Sequence, residues 1–121
     1  MDVERYVKDG KVAILVSPGY GAGWSTWGQK ELSYDKRVVE FWMQHKDDEE
    51  YLRQLDKLFE NNKVQEDAER LFEKWGYEGV YFGGFKQICI EWVPVGTLFR
   101  INEYDGSESI EINEYVDWCV A

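Results

Sequence analysis

Hydrophobic and polar positions predict β-structure at both ends of the chain and helices in the middle. The Asp9-Gly10 pair predicts a two-residue hairpin between a short strand at residues 3–7 and a strand at residues 11–16. The second of these strands is apolar from Val12 through Val16. Both of its faces must be shielded from water, so we expect it at the centre of a sheet.

A periodicity of three to four residues begins near Asp35 and predicts three helices in succession. The first starts at about Asp35, the second spans residues 47–60 and the third spans residues 63–74. Gly76 follows the third helix, where a glycine is a common C-terminal cap.

The remainder of the chain has alternating apolar and polar positions typical of strands. Asp105-Gly106 is a second hairpin signal, and we expect Ile110 and Ile112 to face inward. The tail at residues 115–120 is predicted to pack back on the body of the protein. The predicted strands are residues 86–93, 97–104 and 108–113.

These elements together predict an α+β fold. An antiparallel β-sheet, formed by the N-terminal hairpin and a C-terminal meander, holds about three inserted helices that pack together. No repeat or linker interrupts residues 1–121, so we expect a single domain. A chain of this length buries roughly 65% of the surface that it exposes when unfolded.

Composition excludes several classes of protein. Aromatic residues make up 17% of the chain, which is too many for a disordered protein, and no apolar run is long enough to span a membrane. The first residues lack the apolar core of a signal peptide, and Cys89 and Cys119 form no CxxC pair. We therefore expect a cytoplasmic protein without a Cys/His zinc site.

The net charge of -10 disfavours direct binding to nucleic acid, because phosphates are repelled and no basic stripe is present. The excess of acidic over basic residues is concentrated toward the C-terminus, because residues 76–121 contain Lys86 and Arg100 as their basic residues. Such an excess keeps a protein soluble. It also suits an acidic surface that docks on a basic protein.

Residues 17–28, which read SPGYGAGWSTWG, differ from the rest of the chain because they match neither a helix nor a strand. Closely spaced glycines allow backbone N–H groups to converge on an anion, and flat rings can stack a base. Nearby hydroxyl groups, two cations and a second aromatic segment complete a predicted site for a nucleotide-like ligand. The candidate ligand-binding residues are Ser17, Gly19, Tyr20, Gly21, Gly23, Trp24, Ser25, Thr26, Trp27, Lys30, Tyr81, Phe82 and Arg100.

Other interpretations of this segment stay open. The aromatic side chains can belong to the core, with the glycines allowing the loop to fold, or they can anchor a protein interface such as that of a homo-oligomer. A dinucleotide-binding fingerprint is rejected, because Trp24 stands where its third glycine is required and no helix follows at once.

Candidate catalytic residues are few. His45 is the single histidine of the chain and lies at the polar end of the first predicted helix, where a cation at a helix end is the alternative interpretation. Glu91 stands within an apolar strand and is the best candidate for a catalytic carboxylate, unless it simply faces outward. The pattern favours a protein without catalytic activity, and it predicts neither a metal nor a cofactor.

Two segments carry a family resemblance. Residues 12–27, VAILVSPGYGAGWSTW, and residues 91–109, EWVPVGTLFRINEYDGSES, resemble a group of small proteins encoded by bacteriophages and prophages. The resemblance implies expression inside an infected bacterium and a role in host takeover or in evasion of host immunity. It offers no established catalytic residues.

Three functional hypotheses follow. The first is a counter-defence protein that binds and sequesters a small anionic, nucleotide-derived signal without catalysis. The second is an acidic inhibitor directed at a host defence factor or nuclease. The third is a small hydrolase that depends on carboxylates.

Overall fold

The computed structural model describes residues 3–18, 24, 29–55, 62–80, 82, 85–104, 107–112 and 119–120. These residues form helices and antiparallel sheets, which confirms the predicted α+β fold. No helix among them is long and apolar enough to cross a lipid bilayer. The elements are β1 (Val7–Lys8), β2 (Lys11–Val16), α1 (Lys36–His45), α2 (Glu49–Leu55), α3 (Lys63–Lys74), β3 (Cys89–Pro94), β4 (Leu98–Tyr104), β5 (Ser107–Ile112) and β6 (Cys119–Val120), with short 3₁₀ turns at Lys30–Ser33 and Phe85–Gln87.

The strands lie in two sheets rather than in the one predicted. The first sheet has the order β1-β2-β3 and the second has the order β5-β4-β6. The predicted meander is therefore divided, because β3 pairs with β2 from Lys11↔Pro94 to Val16↔Cys89. An all-apolar β2 needs a neighbour on each edge and cover on each face, and β3 provides the second neighbour.

The central position of β2 is confirmed, and its two faces contact different layers. Ala13 and Leu15 pack with the helices in one core cluster, whereas Val12 and Ile14 pack between the sheets in a second cluster. The described residues thus form three layers, with the first sheet between the helices and the second sheet. Both clusters exclude water from β2, whose residues from Val12 to Val16 are at most 2% exposed.

The N-terminal segment differs from the prediction of a strand at residues 3–7. Its strand pairing begins only at Val7, while Arg5 forms an isolated bridge with Asp35 and the Lys36 N–H donates to the Glu4 carbonyl at 2.7 Å. These contacts tie the start of the chain to the beginning of α1.

The helix boundaries follow local signals that the sequence carries. The Asp35 and Asn62 side chains cap α1 and α3 by accepting hydrogen bonds from the Arg37 and Gln65 N–H groups. Gly76 has a φ of 98°, as expected of the residue that ends α3. Residues 56–60, which end the second predicted helix, lie outside the described residues.

Ile112 lies on the predicted inward face of β5, opposite Phe99, but it is not buried there. Ile110 is partly buried between the sheets, but Ile112 is 59% exposed at the end of β5. The inward positions of this strand begin at Glu108, which is buried, and end at Ile112, the last residue of β5. Of the predicted tail, Cys119 and Val120 are described, and they form β6 on β4.

Candidate functional site

Five of the predicted ligand-binding residues lie in the described part of the chain: Ser17, Trp24, Lys30, Phe82 and Arg100. The structure brings Ser17, Trp24 and Phe82 together. It places Lys30 and Arg100 elsewhere. The others lie outside the described residues, and their assignment stays a prediction: Gly19, Tyr20, Gly21, Gly23, Ser25, Thr26, Trp27 and Tyr81.

A buried carboxylate holds the predicted loop at two points. Glu108 Oε1 accepts the Ser17 N–H and Oε2 accepts the Trp24 N–H, each at 2.9 Å. The Glu108 N–H in turn donates to the Ser17 carbonyl at 2.7 Å, and Glu108 is 2% exposed. We call these three residues the Glu108 clasp. It joins the chain after β2 to β5 across the two sheets.

In the clasp, the Ser17 and Trp24 N–H groups bind a carboxylate of the chain itself, whereas the glycines predicted to bind an anion lie outside the described residues. Hydrogen bonds between backbone N–H groups and a carboxylate are stronger than those between neutral groups. Sequence reasoning missed Glu108, although a signal was present. It shares an alternating face with Ile110, and a charged residue on a buried face requires partners.

The Trp24 and Phe82 rings are in the core, which corrects the expectation of exposed stacking rings. Trp24 is 0% and Phe82 5% exposed, and their ring centroids are 6.4 Å apart. The Phe85 and Trp24 rings pack edge to face, with their centroids 5.5 Å apart. Neither ring has a face open to a ligand from solvent, so the alternative interpretation of these two residues as core aromatics applies. Trp24 Nε1 is a buried donor to which the described residues offer no acceptor.

The two predicted cations are not at the clasp. Arg100 contacts Glu111 at 3.2 Å on the outer face of the second sheet, whereas Glu108 belongs to the opposite, inward face. Hydrogen bonds from Asn102 and Arg100 hold the pKa of Glu111 below its ordinary value, against the smaller effect of desolvation. Lys30 is exposed at the start of the 3₁₀ turn that follows the loop.

A second buried carboxylate, Asp35, joins α1 to the segment after α3. Asp35 is 1% exposed and accepts the Tyr77 hydroxyl at 2.7 Å and the Arg37 guanidinium at 2.7 and 3.1 Å. Burial opposes its ionisation, but these hydrogen bonds outweigh burial and lower the pKa of Asp35. Burial and the bond to Asp35 raise the pKa of Tyr77. The Tyr77 hydroxyl and the Arg37 guanidinium satisfy both oxygens of this carboxylate, so we interpret the network as structural.

His45 stacks on Tyr51, with ring centroids 3.8 Å apart and planes 10° from parallel. Phe41 contacts the imidazole from another side at 4.8 Å. Burial among these rings lowers the pKa of His45, and the charge of Asp48 opposes that shift. The ring is therefore held toward its neutral form, which differs from the expected cation at a helix end.

We expect the imidazole of His45 to titrate below pH 6.5, because its charged form loses hydration against Tyr51 and Phe41. Its contribution to stability is then present above the unfolded pKa and is lost as pH falls through the folded value. NMR titration of the single histidine measures this directly. Asp48→Asn lowers the value further, and a wild-type pKa at or above 6.5 contradicts the stacked arrangement.

Glu91, the candidate catalytic carboxylate, is exposed on β3 between Cys89 and Val93. Burial, together with the charge of Glu91, raises the pKa of the Cys89 thiol, so this cysteine is held in its unreactive form. In the described part of the chain no three His, Cys, Asp or Glu side chains are grouped to hold a metal.

No family model, no curated protein and no solved structure matches this chain. The interpretation of function therefore starts from the Glu108 clasp, the loop that it holds and the exposed surfaces of the two sheets. The resemblance of residues 12–27 and 91–109 to phage-encoded proteins stays a prediction.

Proposed function

We propose that the protein binds a small anionic, nucleotide-derived ligand at the loop of residues 19–28 and sequesters it without catalysis. The observation that supports this proposal is the Glu108 clasp, in which the Ser17 and Trp24 N–H groups converge on one carboxylate. The clasp fixes the positions of Ser17 and Trp24, which flank residues 19–23 in the sequence.

An anchored loop suits tight binding. A site whose backbone is held before the ligand arrives loses less conformational entropy on binding. Buried clasp hydrogen bonds hold the base of the loop, and Ser107 Oγ adds a bond to the Pro18 carbonyl at 2.7 Å. The loop between these anchors contains Gly19, Gly21 and Gly23, whose N–H groups suit phosphate oxygens.

The proposed site assigns different parts of the ligand to different residues. Backbone N–H groups of the loop take the phosphates, and Lys30 is the cation next to the loop in sequence. Tyr20, Trp27 and Tyr81 are the rings assigned to stack the base, because Trp24 and Phe82 are in the core. Arg100 is not assigned, because it pairs with Glu111 on the far face of the second sheet.

The resemblance to phage-encoded proteins supports placing this binding in counter-defence, in the cytoplasm of an infected bacterium. A nucleotide-derived immune signal matches the chemistry proposed for the loop. Sequestration removes such a signal in proportion to the amount of protein, so it requires a low Kd and no turnover.

We expect cyclic dinucleotides or ADP-ribose-type nucleotides to raise the melting temperature of the protein, because a ligand that binds the native state stabilises it. At a free concentration of about 100 times Kd the gain is about 2.7 kcal/mol. Thermal denaturation with each nucleotide of a panel measures this. Chromatography of the heat-released ligand should recover it unchanged.

Matched variants locate the site. Trp27→Ala and Lys30→Ala are expected to abolish or weaken the nucleotide response, whereas Lys63→Ala, an equivalent change of an exposed lysine on α3, preserves it. Absence of a response across the panel contradicts the proposal. Conversion of the nucleotide with turnover supports the hydrolase hypothesis instead, and Glu91→Gln then tests the carboxylate that it requires.

A further inference from the structure

The edges of β3 and β5 flank a groove with a volume of about 400 Å³, which we call the β3–β5 groove. It lies on the side of the two sheets where neither strand has a further strand neighbour among the described residues. Its β3 wall includes Cys89, Glu91, Trp92 and Val93, and its β5 wall includes Ile110 and Ile112. Trp92 is 39% exposed and Ile112 is 59% exposed.

The hydrogen-bond pattern shows which backbone groups β3 leaves open. The Ala13 N–H donates to the Tyr6 carbonyl at 3.0 Å, on the side of β2 where β1 lies. The Ala13 N–H therefore does not point toward β3. In an antiparallel pair, bonded and non-bonded positions alternate, and Ala13 is paired with Trp92 in register. The N–H and C=O groups of Trp92, and by the same alternation those of Ile90, therefore point away from β2.

Pro94 fits this pattern and limits the open edge. It is paired with Lys11 at another non-bonded position, where the missing N–H of proline costs no bond to β2. Natural proteins use proline at exposed edges to restrict further pairing. Within the part of the chain that the structure describes, the edge of β3 thus offers two residues, Ile90 and Trp92, that can bond to an added strand, and this edge ends at Pro94.

The side chains beside this edge indicate the chemistry of an added strand. Glu91 occupies the position where side chains of an added antiparallel strand approach most closely. An opposite charge across strands stabilises such a pair, whereas a like charge destabilises it. Trp92 lies on the opposite face of β3 from Glu91, and the centroid of its ring is 6.3 Å from that of the Tyr6 ring. Its ring offers an apolar surface to a residue of the added strand. Among the described residues the groove walls contain the carboxylates Glu91 and Glu108 and no cation.

We propose that the open edge of β3 binds an extended basic segment of a partner protein, which adds to the first sheet as a strand. A lysine or arginine of the segment lies opposite Glu91, and apolar residues of the segment lie beside Trp92. Backbone hydrogen bonds to Ile90 and Trp92 provide affinity, and the alternation of basic and apolar side chains provides specificity.

Charge disfavours a second copy of this chain as the occupant. Symmetric antiparallel pairing of two β3 edges brings Glu91 of one copy near Glu91 of the other. Each copy also has a net charge of -10, so two copies repel one another at long range. A basic partner reverses the sign of both effects.

The probe for the test is a capped hexapeptide of alternating lysine and valine, with binding measured by isothermal titration calorimetry. The matched peptides are a glutamate–valine hexapeptide and the lysine–valine hexapeptide with N-methyl groups on every second residue, which removes the N–H donors of one edge. We expect the lysine–valine peptide to bind and both matched peptides to lose binding.

Two protein variants separate the groove from general attraction of a cation to an acidic protein. Glu91→Lys is expected to weaken binding of the lysine–valine peptide about tenfold, because an attractive cross-strand pair becomes repulsive. Glu69→Lys makes the same change of net charge on exposed α3 and is expected to leave Kd nearly unchanged.

Equal weakening by the two variants, or equal binding of the N-methylated peptide, overturns the proposal, since either result indicates non-specific electrostatic attraction. Light scattering that shows a dimer of the wild-type protein, broken by Trp92→Ala and not by Glu69→Lys, also overturns it, because a second copy then occupies the edge.

Discussion

Glu108→Ala is expected to lower the free energy of unfolding by about 3–4 kcal/mol, because it leaves two buried N–H groups without an acceptor. The wild-type carboxylate accepts the Ser17 and Trp24 N–H groups at 2.9 Å and is 2% exposed. Alanine also leaves a space between the two sheets that the surrounding residues fill only in part. Urea denaturation followed by fluorescence measures the loss.

Two further variants decide whether the clasp is the cause. Glu69→Ala removes an exposed carboxylate from α3 and is expected to change stability by less than about 0.5 kcal/mol. Glu108→Gln keeps the shape of the side chain but offers a single oxygen to two N–H donors, so we expect an intermediate loss. If Glu108→Ala is as stable as Glu69→Ala, the loop is not held by this carboxylate, and the proposed ligand site loses its support.

Asp35→Ala is expected to cost about 3 kcal/mol. It removes the cap of α1, worth about 1 kcal/mol, and it leaves the Tyr77 hydroxyl without its 2.7 Å acceptor, at about 1–2 kcal/mol. The ion pair with Arg37 adds a smaller amount, because the Arg37 side chain is 44% exposed and water screens the interaction. Urea denaturation of the wild type and the variant at pH 7 measures the total loss in the free energy of unfolding.

The matched control for this prediction is Asp48→Ala. Asp48 accepts the Tyr51 N–H at 3.0 Å at the start of α2, but it is exposed, so its replacement is expected to cost about 0.5–1 kcal/mol. Tyr77→Phe isolates the hydroxyl contribution. Similar losses from Asp35→Ala and Asp48→Ala would show that the buried network adds nothing beyond a helix cap.

The same network predicts how stability depends on pH. The pKa of Asp35 is lowered in the folded protein, so its contribution is present above the unfolded value of about 4 and is lost as pH falls through the folded pKa. The pKa of Tyr77 is raised, so its contribution is present below about pH 10 and is lost as pH rises toward the folded pKa. Asp35→Ala is therefore expected to be less sensitive to acid than the wild type.

The chemistry of the candidate site was easier to predict than its geometry. The predicted convergence of glycine N–H groups lies outside the described residues, and local sequence does not show that the Ser17 and Trp24 N–H groups converge on Glu108. Glu108 lies 91 residues beyond Ser17 in the chain, and only the packing of the second sheet on the first brings the two together. Trp24 illustrates the same limit, because a tryptophan beside glycines has the same sequence context whether its ring is exposed or buried.

Local patterns by themselves determined the α+β class, the bounds of β2 and α3, and the C-terminal cap at Gly76, because these features depend on neighbours a few residues apart. Tertiary structure alone decided that β3 leaves the predicted meander to pair with β2. It also decided that the Trp24 ring is in the core and that Glu108 holds the loop. Pairing of distant strands and burial of a charge depend on long-range contacts, whose energies do not appear in the periodicity of any single segment.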